Sequence, residues 1–353
     1  MSLVYDKILS QKHYQPADDW LRIKTIDMHT AGEPLRVVIE GIPQIKGNSV
    51  LDYRRYMMTH HDTIRKILMF EPRGHSDMYG CILVPPNDNS ADFGILFMHN
   101  EGFSTMCGHA IIAISKLAIE MGWKEKTHPY SSLEIDAPCG RISSRVYLDN
   151  QGDVIDVSFD CVPSFVVGLN YEVEVNGQVI TYDLAYGGAF YAYINADLIN
   201  LSLSSQNVQE IIQLGRTIKK AIIQSNHEIK HPFEKDLSFL YGTIFISQHV
   251  MNNSHDRNVC VFANGEVDRS PTGSGVSGRM AIHAARGEMT SLSQPRAIES
   301  IIGSQFLASI KKNVDFGSYS AVVPTVRGTA YIIGQNEWYL DPKDGLPEGF
   351  LLS

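Results

Sequence analysis

Cys107 and Thr272 stand at matching places in two copies of one short pattern. The first copy reads Ser104-Thr105-Met106-Cys107-Gly108-His109-Ala110, and the second Asp268-Arg269-Ser270-Pro271-Thr272-Gly273-Ser274-Gly275. In each, a reactive side chain precedes a glycine, a small or polar residue and a helix-like stretch. Each stretch runs to a glycine the same number of residues on, Gly122 and Gly287. A helix start offers unpaired N–H groups and the positive end of the dipole, a natural seat for a carboxylate. Gly108 and Gly273 lack a Cβ and allow close backbone approach. Two such starts facing each other would hold one carboxylate between them, with the side chains at 107 and 272 flanking the carbon that bears it. A thiol at a helix's positive end is expected to ionise more easily, which makes Cys107 a candidate base for an α-proton. The Thr272 hydroxyl ionises far above physiological pH and has no adjacent base in sequence. One face of the bound molecule therefore meets a proton acceptor and the other only a weak donor.

Taken singly, these residues have plainer readings. A lone cysteine before a helix is commonly a small buried apolar residue, a threonine there is a cap, and His109 is a surface or capping histidine. Asp268 reads either as a solvated turn residue or as the partner of a substrate ammonium. His75 and Asp77, in Glu71-Pro-Arg-Gly-His-Ser-Asp77, read as loop polars, as do His29, His99 and Asn100; His60-His61 reads as a helix face. The duplication favours the chemical reading. Gly273-Ser-Gly275-Val-Ser-Gly278 matches the dinucleotide fingerprint G-x-G-x-x-G, but that motif needs a strand running straight into the glycines. Here the polar stretch Asn264 to Thr272, with Pro271, intervenes.

The elements that would position the pair also occur twice. Arg22 to Ile42 alternates like two strands around Ala31-Gly32, Leu51 to Phe70 has the period of one amphipathic helix, and residues 78–98 read as two strands around Pro85-Pro86-Asn87-Asp88. Ala110 to Met121 is apolar almost all round, which predicts a helix buried in the middle of its domain. Val154 to Phe159 reads as a strand. The pattern then restarts. Asn176-Gly177 marks a type I′ hairpin, Asp183-Leu-Ala-Tyr-Gly-Gly188 echoes Asp27-Met-His-Thr-Ala-Gly32, and Val208 to Gln224 is a second amphipathic helix. Strands Gly242–Gln248 and Val259–Ala263 lead to the second reactive turn, and Ala321 to Leu340 is strand-like with a hairpin expected at Gly334-Gln335-Asn336. The expectation is an α+β fold of two pseudo-symmetric domains, each a sheet wrapped around a central buried helix. Residues 1–165 carry Cys107 and are joined by the last strands, 335–353; residues 166–334 carry Thr272.

Composition sets outer bounds. The chain has 353 residues, 44% of them apolar, and a net charge of −9. That charge argues against nucleic-acid and anionic-membrane partners. The first twenty residues lack an apolar signal core, and no apolar run is long enough to span a bilayer. Five cysteines at wide spacing predict neither a disulfide framework nor a zinc site, and H-E-x-x-H is absent. The expectation is a cytoplasmic protein without a metal.

Five ordered motifs carry a resemblance. Met28-His-Thr-Ala-Gly-Glu-Pro-Leu-Arg36, Glu71-Pro-Arg-Gly-His-Ser-Asp-Met78, His99-Asn-Glu-Gly-Phe-Ser-Thr-Met-Cys-Gly-His109, Asp183-Leu-Ala-Tyr-Gly-Gly-Ala-Phe-Tyr191 and Asp268-Arg-Ser-Pro-Thr-Gly-Ser-Gly275 resemble the proline racemase family, from about Ile23 onward. The resemblance implies the diaminopimelate-epimerase-like fold, a site in the cleft, no cofactor, and often a homodimer. Racemases and 4-hydroxyproline epimerases of that family carry a cysteine in each half; Thr272 in place of the second resembles the trans-3-hydroxy-L-proline dehydratase branch. By position the family's substrate contacts fall on Gly108, His109, Asp268, Gly273 and Ser274, with His75, Asp77 and His99 as candidates for a surrounding layer. The implied reaction is loss of water from trans-3-hydroxy-L-proline to give Δ1-pyrroline-2-carboxylate. A racemase or hydroxyproline 2-epimerase, or a non-catalytic amino-acid binding protein on the same fold, remain the alternatives; a nicotinamide enzyme is more distant.

Overall fold

The computed structural model describes residues 3–225 and 227–352. The first half contains α1 (Leu3–Ser10), β1 (Leu21–Thr30), β2 (Glu33–Glu40), α2 (Val50–His60), α3 (Asp62–Met69), β3 (Tyr79–Val84), β4 (Phe93–His99), β5 (Gly102–Ser104), α4 (Gly108–Glu120), β6 (Tyr130–Ala137), β7 (Gly140–Leu148) and β8 (Val154–Asp160). The second contains β9 (Ser164–Val175), β10 (Gln178–Tyr186), β11 (Phe190–Asn195), α5 (Val208–Gln224), β12 (Leu240–Ser247), β13 (Asp256–Phe262), β14 (Glu266–Val267), α6 (Gly273–Ala285), β15 (Arg296–Glu299), β16 (Gln305–Phe316) and β17 (Tyr319–Gly328). β18 (Ala330–Leu340) then returns to pair antiparallel with β1.

Strand pairing repeats step for step. β2 runs parallel to β3 as β11 does to β12. β4 pairs with β5 antiparallel and β6 parallel, as β13 pairs with β14 and β15. Each half curls around one helix. α4 buries Ile111, Ile112, Ile114 and Leu117 completely, each such side chain contributing about 2 kcal/mol of apolar burial. Both central helices end alike. Gly122 and Gly287 take φ of 69° and 70°, and the next residues donate back into the last turn, Trp123 N–H to Ala118 C=O and Glu288 N–H to His283 C=O. This is a Schellman stop, which needs a residue free to enter the left-handed region. The glycine fingerprint in α6 serves packing: a Cβ on Gly275 would lie 2.3 Å from Ile244 Cδ1 and one on Gly278 2.2 Å from Tyr193 Oη.

The hairpin turns at Ala31-Gly32 and Asn176-Gly177 form as expected, with positive φ at all four residues. Two expectations are corrected. The segment 51–70 is two helices broken at His61, whose φ of −136° leaves the helical region. The break lets Val50, Tyr53 and Met57 from α2 and Ile64, Ile67 and Leu68 from α3 cover the same curved sheet face in a second core. Gly334-Gln335-Asn336 is not a hairpin: these residues pair with Asp27, Ile26 and Thr25 inside β18, and the register slips there by a bulge. Glycine in a strand marks such bulges as readily as turns. The actual corner lies between β17 and β18.

Candidate active site

α4 and α6 meet start to start. A Cβ on Gly108 would lie 2.6 Å from Gly273 Cα, and one on Gly273 2.7 Å from Gly108 Cα. The first main-chain bond of α4 is Ile111 N–H to Cys107 C=O and that of α6 is Val276 N–H to Thr272 C=O. The N–H groups of Gly108, His109, Gly273 and Ser274 precede those bonds and belong to the unpaired first turns. Those four residues line one tight cavity with Cys107, Asp268 and Thr272. The structure thus brings together all seven residues proposed to catalyse or contact substrate.

Cys107 has extended backbone (φ −148°, ψ 103°), and its sulfur accepts the Ala110 N–H at 3.4 Å. Burial pushes its thiol well above the ordinary range, against the lowering by the Ala110 N–H. The expected easy ionisation is therefore corrected: the helix start acts on a thiol in a residue only 4% exposed, and loss of hydration outweighs the dipole. The sulfur has a partner instead. His109 is buried rather than at the surface, with Nδ1 3.1 Å from Cys107 Sγ and Nε2 3.2 Å from the Pro34 carbonyl. A carbonyl can only accept, so Nε2 carries the hydrogen and Nδ1 presents a lone pair to the thiol. Burial drives the His109 imidazole down to about 3, so it stands neutral.

Thr272 differs from Cys107 in its main chain as well as its side chain. It takes φ 66° and ψ 91°, a region that a β-branched residue rarely enters. It sits at the N-cap position but makes no capping bond. Its Oγ1 is buried and makes no hydrogen bond of good geometry, although the Asp268 carboxyl and the Cys260 thiol lie near enough to interact with it. A polar atom so placed is costly unless a ligand completes it.

Asp268 is buried, not solvated, and accepts the Ser270 N–H at 2.7 Å. Burial raises its carboxyl to about 6. Asp77 forms an ion pair with Arg269 at 2.7 Å and so abuts the site's loop without lining the cavity. His99 packs behind Tyr79, their ring centroids 5.7 Å apart. His75 is exposed and its Nδ1 contacts the Ser76 carbonyl, so it lies away from the cavity. Sequence reading overlooked Tyr79, Tyr191, Tyr241 and Cys260, which line the walls together with Met106 and Phe262. The tyrosines and Cys260 sit in strands, where alternation marked them only as core. It also overlooked Glu33, a charged residue opening an apolar strand. Among the described residues no group of three or more His, Cys, Asp or Glu is arranged to hold a metal ion, and no helix is long and apolar enough to cross a membrane.

Two matched half-barrels, each directing the start of a buried helix into one shared cavity, define the diaminopimelate-epimerase-like class. The family described as Proline racemase matches residues 25–351, and the chain belongs to that family. It is 46% identical over 336 residues to a trans-3-hydroxy-L-proline dehydratase of Colwellia psychrerythraea, covering 95% of this chain and 94% of that one. It is 40% identical over 331 residues to a 3-hydroxyproline 2-epimerase of Burkholderia multivorans, covering 94% and 98%. Among solved structures, a hydroxyproline epimerase from Agrobacterium vitis with bound trans-4-hydroxy-L-proline superposes with a TM-score of 0.87 at 28% identity, covering 94% of this chain and 96% of that one.

Proposed function

We propose that the protein is a hydro-lyase that dehydrates trans-3-hydroxy-L-proline to Δ1-pyrroline-2-carboxylate with its own side chains and no cofactor. One observation carries the reading: a thiol backed by a neutral imidazole and a threonine hydroxyl line the same cavity at the matched starts of α4 and α6. The dehydratase relative supports the same reaction. A racemase would need a proton acceptor on both faces of the ring, and Thr272 supplies none.

In trans-3-hydroxy-L-proline the α-hydrogen and the hydroxyl share a face of the ring, since each lies opposite the carboxylate. The carboxylate binds the N–H groups of Gly108, His109, Gly273 and Ser274, and Asp268 receives the ring ammonium. In the complex the substrate carboxylate sits against the same helix start and favours the imidazolium that burial disfavours in the empty cavity, so His109 Nδ1 accepts the thiol proton there and leaves a thiolate. Cys107 takes the α-proton. The negative charge that develops on the carboxylate is stabilised by N–H groups already oriented toward it. The same sulfur returns its proton to the departing hydroxyl, water leaves, and the enamine tautomerises to the cyclic imine. Thr272, on the other face, positions the ring through Oγ1 and transfers no proton.

The same reading takes residues 1–165 with 335–353 as one half and 166–334 as the other. Packing supports it: α4 lies against β1, β2, β7, β8 and β18, and α6 against β9, β10, β16 and β17. β18 starts at Ala330, slightly ahead of that border. We also read the protein as a cytoplasmic homodimer; its free cysteines support the first, and the second rests on what the family resemblance implies. The test of function is incubation with trans-3-hydroxy-L-proline and detection of the cyclic imine with o-aminobenzaldehyde. Absence of imine, together with inverted and deuterium-labelled proline or hydroxyproline in D2O, would assign the epimerase reaction instead.

A further inference from the structure

Glu33 opens β2 directly after the Ala31-Gly32 turn and is fully buried, at 0% exposure. Its Oε2 accepts the Arg269 N–H at 2.7 Å, from the loop of the opposite half, and its Oε1 has no hydrogen-bond partner. The charged groups that face it are Asp268, Arg269 and Asp77. The Arg269 guanidinium is already committed to Asp77 and to the Val267 carbonyl. Among the described residues no cation pairs with Glu33, and the neighbouring His109 is neutral. A buried carboxylate without a cation is too costly to persist as an anion, and two neighbouring carboxyls resist ionising together.

We propose that Glu33 is a positioning residue that works as a neutral carboxylic acid: it fastens the Asp268–Thr272 loop to the opposite half and leaves Asp268 the single anion for the substrate's ring nitrogen. The last clause rests on the function proposed above; the fastening and the neutrality do not. The direction of titration agrees, since burial first and the Asp268 charge second push the Glu33 carboxyl well above its ordinary range. Glu33 lies behind the cavity wall and acts on the substrate only through the loop it holds.

Difference infrared spectra of the wild-type protein and Glu33→Gln at pH 8, where Asp268 is ionised, test the idea. The wild type is expected to show the C=O stretch of a protonated carboxylic acid that Glu33→Gln lacks; no such band overturns the proposal. In turnover, Glu33→Gln is expected to stay within about threefold of wild type, because its amide oxygen still accepts the Arg269 N–H. Glu33→Asp, too short to reach it, is expected to lose about tenfold or more in kcat/KM. Glu33→Gln as impaired as Glu33→Asp would mean that a charge is needed, and would also overturn it. If the wild type yields no imine from trans-3-hydroxy-L-proline, the function falls, while the infrared band still decides the state of Glu33.

Discussion

Gly108 and Gly273 touch across the interface of the two halves, so near that a single added methyl on either would stand about 2.6–2.7 Å from the other's Cα. The obstacle on each side is backbone, which cannot swing aside. Gly108→Ala and Gly273→Ala should therefore each force the helix starts apart, with a stability loss of about 2 kcal/mol and a fall in kcat/KM of about a hundredfold. Thermal melts and steady-state kinetics on the same preparations check this. An alanine variant with wild-type kinetics would show that contact at this point is not needed.

Cys107→Ser keeps the size and hydrogen-bonding shape of the residue while removing the acid–base sulfur. Turnover should fall by about a thousandfold or more, while pyrrole-2-carboxylate, a planar mimic of the intermediate, should bind nearly as in wild type. Calorimetry alongside the imine assay separates loss of chemistry from loss of the pocket.

His109→Phe removes the lone pair that faces the thiol at 3.1 Å. kcat should fall at neutral pH and recover partly as pH rises, because solvent base then takes over the removal of a proton that burial holds on the sulfur. A pH–kcat profile parallel to that of wild type would deny His109 this part.

Asp268 offers a test with a defined sign. Its carboxyl stands at about 6 in the folded chain against an ordinary 3.8. The folded state thus holds the proton more tightly, and the stabilisation this gives is complete below 3.8 and lost as pH rises through about 6. Asp268→Asn removes the penalty of burying the anion, and should stabilise the empty protein by on the order of 3 kcal/mol at pH 8 relative to its effect at low pH. It should also abolish turnover. Equal shifts in Tm at pH 4 and pH 8 would contradict this.

Thr272→Gly should hold or raise Tm despite the added chain entropy, since φ 66° is strained for a β-branched residue and free for glycine. Thr272→Cys supplies a second thiol; in D2O it should yield some inverted, α-labelled hydroxyproline where the wild type yields imine. Chiral chromatography with mass detection reads both products.

Much of this site could be read from the chain because it is written twice. Cys107 and Thr272 precede glycines in matched turns, and the apolar run after Cys107 announces a helix with no wet side. What escaped were effects that belong to the assembled cavity. The difficulty of ionising Cys107 comes from burial beneath walls supplied by distant strands, against the lowering by the Tyr79 hydroxyl. The orientation of His109 depends on the carbonyl of Pro34, far away in sequence. The backbone at Thr272 is invisible in its letter: threonine prefers extended backbone, and nothing nearby signals positive φ. His61 and Gly334 misled for a related reason, since the curvature of the barrels decides whether a helix breaks or a strand bulges.

β17 pairs with both β8 and β9, one strand from each side of the chain's first crossing between halves, and the second crossing, from β17 into β18, lies beside it. The sheets of the two lobes are thus stitched along a single seam, while elsewhere the lobes meet through one continuous apolar core, the Glu33–Arg269 bond and ion pairs such as Arg55 with Asp236 and Arg269 with Asp77. If substrate entry parts the lobes, that seam is the spine about which they turn. Salt, which screens the exposed Arg55–Asp236 pair more than contacts buried in the core, is then expected to speed loading and emptying, a rate that stopped-flow binding would read.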